Sequence, residues 1–229
     1  MTTGDGWTAA VRERLAPGRL LPLGTAADGA WITERAAREV LERAAAAVPG
    51  VVPGGLRIRP ADQESDQEAV PETASEREPG SEPGALRISA SFGAVAGRPL
   101  TELTDALRAA LFTTAEDGLG LVTAAVDLQV TDLLDAVPPD EGPVAAPPGR
   151  TSPATEDPVA LAALRVAGVA AVTDALGPPV RRGPDGVRVE LAVTAGTRPL
   201  DVARAVRTAV TAAVPEEAAV TVVVSELRR

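Results

Sequence analysis

The stretch Gly97–Leu111, GRPLTELTDALRAAL, returns about one hundred residues later as Thr197–Val210, TRPLDVARAVRTAV. Setting Arg98-Pro99-Leu100 on Arg198-Pro199-Leu200, with one extra residue in the first copy, brings LTDALRAAL onto VARAVRTAV. In both copies a proline opens the run and apolar residues recur at the spacing of one helical face. Leu100, Leu103, Leu107, Ala110 and Leu111 make up that face in the first copy. A helix that recurs with its flanks implies a chain built twice from one unit, so the surroundings of each copy decide the fold.

Upstream of the first copy, Ala36, Val40, Leu41, Ala44 and Val48 keep helical spacing. Thr33 is placed to cap that helix, and Gly50 stands where a residue of positive φ would end it. VVPGGLRIR follows as a strand, and in LRISASFG the residues Leu86, Ile88, Ala90 and Phe92 alternate with polar ones, the period of a half-buried strand. Downstream, LVTAAVDLQVTDLL places Val122, Ala124, Val126, Leu128 and Val130 on one side. The second copy runs in the same order. PVALAALRVAGV is a short helix ending at Gly168, VAAVTDAL and VRVELAVTAG are strands, and the repeated helix leads to AVTVVVSEL.

Each unit therefore reads α-β-β-α-β, a three- to four-stranded sheet with two helices over one face. The fold class expected is α+β, in two repeated two-layer modules. Residues 1–28 form an N-terminal helix and extended segment, 29–135 the first module, and 159–229 the second. Residues 136–158 are Pro-rich and almost free of large apolar side chains, the composition of a linker. Residues 60–84 interrupt the strand-to-strand connection of the first module. Eight acids (Asp62, Glu64, Asp66, Glu68, Glu72, Glu76, Glu78, Glu82) stand there against Arg77, a composition that predicts disorder. Most of the net charge of −10 sits in that segment, so the folded parts are nearly neutral and lack the basic stripe that phosphate backbones require. Nucleic acid is not an expected partner.

The absences bear on chemistry. The 229 residues contain no His, Cys or Tyr, and every basic residue is Arg. The imidazole base, the thiol nucleophile, the Schiff-base amine and the usual zinc ligands are thereby removed. Aromatics are 2% of the chain, so Ala, Val and Leu must fill the core. No basic region followed by an apolar run opens the sequence, and VALAALRVAGVAAVTDAL is broken by Arg165 and Asp174, so the expectation is a soluble, cytoplasmic protein without direct membrane insertion.

The residues that carry the helix-strand pattern also carry a resemblance. Ile32, Ala37, Val40, Ala45, Val48, Gly50 and Val51, followed by SFG and by Gly120, Leu121, Thr123, Val126, Leu128 and Val130, resemble the alkaline shock protein family of Gram-positive bacteria. The resemblance covers residues 29–135 and, more thinly, 159–229. It implies a small two-layer domain with no catalytic residue and no cofactor. Members of the family are abundant soluble proteins linked to cell-envelope stress, and some sit beneath the membrane through a membrane-anchored relative. The duplication, the acidic insertion and the N-terminal stretch depart from the family pattern. The expectation is a non-enzymatic scaffold that binds a protein partner or itself; the alternative is a small-ligand-binding or regulatory module.

Four residues are candidates for partner contact. Arg98 and Arg198 each precede a helix start, where a cation opposes the macrodipole, unless each pairs with a local acid. Ala192 and Val223 belong to a face of the second sheet, with Thr194, Thr221 and Ser225, and Ser89, Ser91, Thr123, Ala125 and Gln129 make the matching face of the first. Both faces are small and weakly polar with few charges, the mark either of ordinary strand composition or of a flat docking surface for the other half, a second chain or a partner. Other groups read as bland. The alternating acids from Asp62 lack the glycine and terminal Glu of a calcium loop. Gly118–Gly120 follows a helix and precedes a strand, the reverse of a phosphate loop. Asp132/Asp135 and Glu216/Glu217 read as surface charge. No catalytic, cofactor or metal residue is assigned.

Overall fold

Thr33 ends one strand and starts one helix. Its backbone is extended (φ −68°, ψ 141°), and its side chain accepts a hydrogen bond from the Ala36 amide at 3.3 Å. The same hydroxyl donates to the Ser225 carbonyl at 3.0 Å. One buried side chain thus caps a helix and ties it to a strand near the far end of the chain.

The computed structural model describes residues 18–61, 84–136, 155–184, 186–214 and 218–228. Among them the chain is α+β, with nine strands in two sheets and four helices. The elements are β1 (Leu20–Leu23), β2 (Ala30–Thr33), α1 (Glu34–Ala46), β3 (Val51–Pro60), β4 (Leu86–Val95), α2 (Leu100–Thr113), β5 (Thr123–Leu134), α3 (Pro158–Leu164), β6 (Val169–Val172), β7 (Val180–Gly183), β8 (Gly186–Thr194), α4 (Pro199–Thr211) and β9 (Val220–Arg228). A π-helical turn, Thr114–Leu119, continues α2 and ends at Gly120 with φ +89°. The expected acidic insertion and most of the expected linker lie outside the described residues.

The smaller sheet runs β3-β4-β5, with β3 antiparallel and β5 parallel to β4. In the larger sheet β8 has the same neighbours in kind. It pairs antiparallel with β6 and β7 along one side and parallel with β9 on the other. Beyond β9 lies β2, parallel to it, and then β1. Residues 30–33, read from the sequence as part of the first module, pair with β1 on one side and β9 on the other, with Trp31 opposite Val223. The turn of the β1–β2 hairpin is held on α4 by Asp28. A correction concerns the two bulged strands. Ala124 is an extra residue in β5 and is exposed rather than core-facing, and Ser225 is extra in β9.

α1 packs against β3, β2 and β9, while α2 packs on β5 and α1. α4 packs on β9, β2 and α3. One hydrophobic cluster runs through both sheets and the helices between them. Leu103, Leu107 and Leu111 of α2 and Val206 and Val210 of α4 are at most 1% exposed, as their spacing predicts. Leu100, at the first turn, instead reaches solvent.

One set of backbone hydrogen bonds occurs twice along the chain. Val48 N donates to Ala45 O and Val51 N to Val48 O; Val166 N donates to Ala163 O and Val169 N to Val166 O. Gly50 O accepts from Val95 N, and Gly168 O from Thr194 N. Ala96 N donates to Leu134 O, and Ala195 N to Arg228 O. Gly50 (φ +86°) and Gly168 (φ +90°) both lie against the first turn of the following helix. A Cβ on Gly50 would stand 3.1 Å from Leu103 Cδ2, and one on Gly168 2.7 Å from Val202 Cγ2.

Candidate functional site

Both repeated arginines serve the fold itself. The Arg198 guanidinium donates to the Glu116 carbonyl at 2.9 Å and reaches Asp201 in its own helix at 3.4 Å. Glu116 belongs to the π turn, so Arg198 satisfies a carbonyl of that turn from the start of α4. Arg98 does the equivalent work within its own half, donating to Pro49 O at 3.3 Å with Glu102 at 4.0 Å. An acid on each helix's first turn offsets the unfavourable placement of the cation.

Ala192, Val223 and Ser225 are fully buried while Thr221 is half-buried and Thr194 exposed, so the face expected to be open is closed over its middle. The segment after β6 is held against this sheet by a carboxylate. Glu190 points to the outer face of β8 yet is fully buried. Its Oε1 accepts from Thr173 Oγ1 at 2.9 Å and from the Ala175 amide at 2.8 Å, and its Oε2 from the Leu176 amide at 3.0 Å. The Thr173 hydroxyl lies 2.5 Å from Ser225 Oγ. The Glu190 amide donates to Pro179 O, so the segment is tied at both ends. Sequence patterning placed Ser225 on that face, but no periodicity announces a segment hydrogen-bonded to Glu190 beside it. The hydroxyl–carboxylate chain has the residue types of nucleophilic chemistry. Thr173, Glu190 and Ser225 are nevertheless all fully buried, and the arrangement pins a loop.

The matching face of the smaller sheet is more open, with Gln129 exposed and Ser89, Ser91 and Ala125 half-buried, although Thr123 is buried. Asp127 is also exposed, Arg87 bridges it at 3.0 Å, and Ser91 Oγ is bound to the backbone of Gly55. Asp132 and Asp135 are exposed as expected; Asp62–Glu68 and Glu216/Glu217 lie outside the described residues. No group of metal-ligating side chains occurs among the described residues.

A second anchor fixes the β1–β2 hairpin. Asp28 Oδ1 accepts from Arg204 Nε at 2.8 Å, and Oδ2 from Arg204 Nη2 at 3.2 Å and from the Thr25 amide at 2.8 Å. The Arg204 guanidinium, aided by the Thr25 amide, pulls the Asp28 carboxyl down to about 2, against a smaller opposing effect of burial. Arg207 donates to Ala27 O alongside. On the solvent side of these arginines a shallow groove of about 690 Å³ runs along α4, lined by Arg204, Arg207, Thr208, Thr211, Ala212 and Val214.

Several large apolar side chains face outward, Leu100 and Phe112 of α2 among them. Trp31 is 37% exposed beside Val223, and Leu133 is 80% exposed at the end of β5. β5 is the last strand of its sheet, and no described strand pairs with its outer edge. No helix of the described residues is long and apolar enough to cross a membrane. Comparison with protein-family models, curated proteins and solved structures returns no match.

Proposed function

We propose that the chain is a non-enzymatic interaction protein, a scaffold of two related alkaline-shock-like modules, 29–135 and 159–229, in which β2 of the first completes the sheet of the second. The shared hydrogen bonds about Gly50 and Gly168 support the duplication. One contrast carries the functional reading: the hydroxyl and carboxylate groups suited to chemistry are sealed under a loop, while a strand edge and large apolar side chains face outward. Strand edges bind by main-chain hydrogen bonds and need no pocket. Attachment at the inner face of a membrane, in this reading, runs through a partner, and the role is in cell-envelope stress.

Affinity capture with the full chain, with identification and reconstitution of what is retained, tests this. A stoichiometric protein complex supports it; capture of only a small molecule overturns it. The α4 groove favours the second reading, a small-ligand module, because Arg207 and two threonines converge there. A thermal-shift screen of small anions separates the two, since only the ligand reading predicts a saturable shift lost in Arg207→Ala.

A further inference from the structure

The outer edge of β5 corresponds, in the repeated topology, to the edge of β9. Each of those strands runs parallel to the central strand of its sheet, β4 or β8. β9 has β2 on its other side; β5 has no described strand there. The remaining sheet edges are blunted. β1 is four residues long and contains Pro22, and β6 and β7 are four residues each. β3 carries Pro53, a register break before Leu56, Arg57, Arg59 and Pro60. Short length, proline, bulges and basic side chains all discourage pairing. β5 is twelve residues long and holds neither proline, glycine nor arginine. Its two bulges leave a regular run, Ala125–Val130, between them. The apolar side of that run is incompletely covered, because Leu128 and Val130 are only half-buried.

We propose that β5 pairs antiparallel with β5 of a second copy about a two-fold axis through Leu128, joining two three-stranded sheets into one of six. Directly opposed residues in such a pair lie on the same face. Centring on Leu128 uses the regular run and puts Val126 against the partner's Val130 on the apolar side. On the solvent side Asp127 then faces the partner's Gln129. Centring on Asp127 would oppose two carboxylates, and centring on Val126 or Gln129 would draw a bulge into the ladder. The second copy fits because the strip is self-complementary: apolar meets apolar, and acid meets amide.

This deepens the scaffold reading by naming one partner, and capture of other proteins tests that reading separately. The edge alone buries less than a standard interface, so a dissociation constant of roughly micromolar order is expected. Sedimentation of the full chain from about 1 µM to about 500 µM brackets that range. The variants Gln129→Asp and Gln129→Arg change an exposed residue, and circular dichroism checks that both fold. In the dimer each change occurs twice, against the partner's Asp127. Gln129→Asp should weaken association by roughly threefold to tenfold, and Gln129→Arg should tighten it by a similar factor. A parent chain that stays monomeric throughout overturns the proposal. So does a dimer indifferent to both substitutions, which would place the interface elsewhere.

Discussion

Replacing Gly168 with alanine tests the contact that the two halves share. At φ +90° an alanine pays the left-handed penalty of about 1–2 kcal/mol, and Gly50 at φ +86° carries the same penalty. The surroundings differ. On Gly168 the new methyl would lie 2.7 Å from Val202 Cγ2, a branch fixed at χ1, and relieving that overlap costs about 1–2 kcal/mol more. On Gly50 the nearest atom, at 3.1 Å, is the far end of Leu103, which can yield. Gly168→Ala should therefore cost about 2–4 kcal/mol and Gly50→Ala about 1–2 kcal/mol. Denaturant unfolding reads both. Val202→Ala removes the offending branch, so Gly168→Ala with Val202→Ala should be less destabilised than the sum of the singles by about 1 kcal/mol. Equal losses at the two glycines together with strict additivity would refute the packing argument.

The other predictions concern the anchors and the core. The Asp28 carboxyl is depressed from 3.8 to about 2, so its stabilisation is full above pH 3.8 and is lost as pH falls through about 2. A shift of that size corresponds to about 2 kcal/mol, reduced to about 1 kcal/mol because Arg204 is half exposed; Asp28→Asn should lose this at neutral pH and converge on the parent near pH 2 in acid titrations of stability. Glu190→Ala strands the Ala175 and Leu176 amides and should cost about 2–4 kcal/mol, with proteolysis in the 174–179 segment increasing before global unfolding. Val206→Asp puts an unpaired charge in a fully buried site and should cost more than about 4 kcal/mol; a parent-like melting curve would undo the assignment of that helix face.

Local signals in the sequence were readable wherever a residue acts on its neighbours. Thr33 announces a cap and Leu103, Leu107 and Leu111 announce a helix face; Gly50 and Gly168 do take positive φ, but the helices expected to end there stop earlier, at Ala46 and Leu164. The pairing of β2 with β9 was not readable, because AWIT suits any apolar edge and its partner lies at the other end of the chain. Bulges at Ala124 and Ser225 were invisible for a related reason: period-two patterning continues through an extra residue only as an apparent slip. Alternation in β8 and β9 told which residues share a face but not what covers it. Ala192 and Val223 therefore looked available for docking, whereas both are fully buried in the fold. Arg98 and Arg198 gave a true signal of something to satisfy, and the carbonyls they meet, Pro49 and Glu116, belong to the chain itself.

The edge of β5 carries the functional account, and amide hydrogen exchange measured at several protein concentrations tests it most directly. The account predicts that Ala125–Val130 gains protection as concentration rises, while β2 and β9, already paired with each other, exchange together and unchanged. Protection of β5 that is independent of concentration would contradict self-pairing, and exchange of β2 apart from β9 would contradict the sheet on which the two-module description rests.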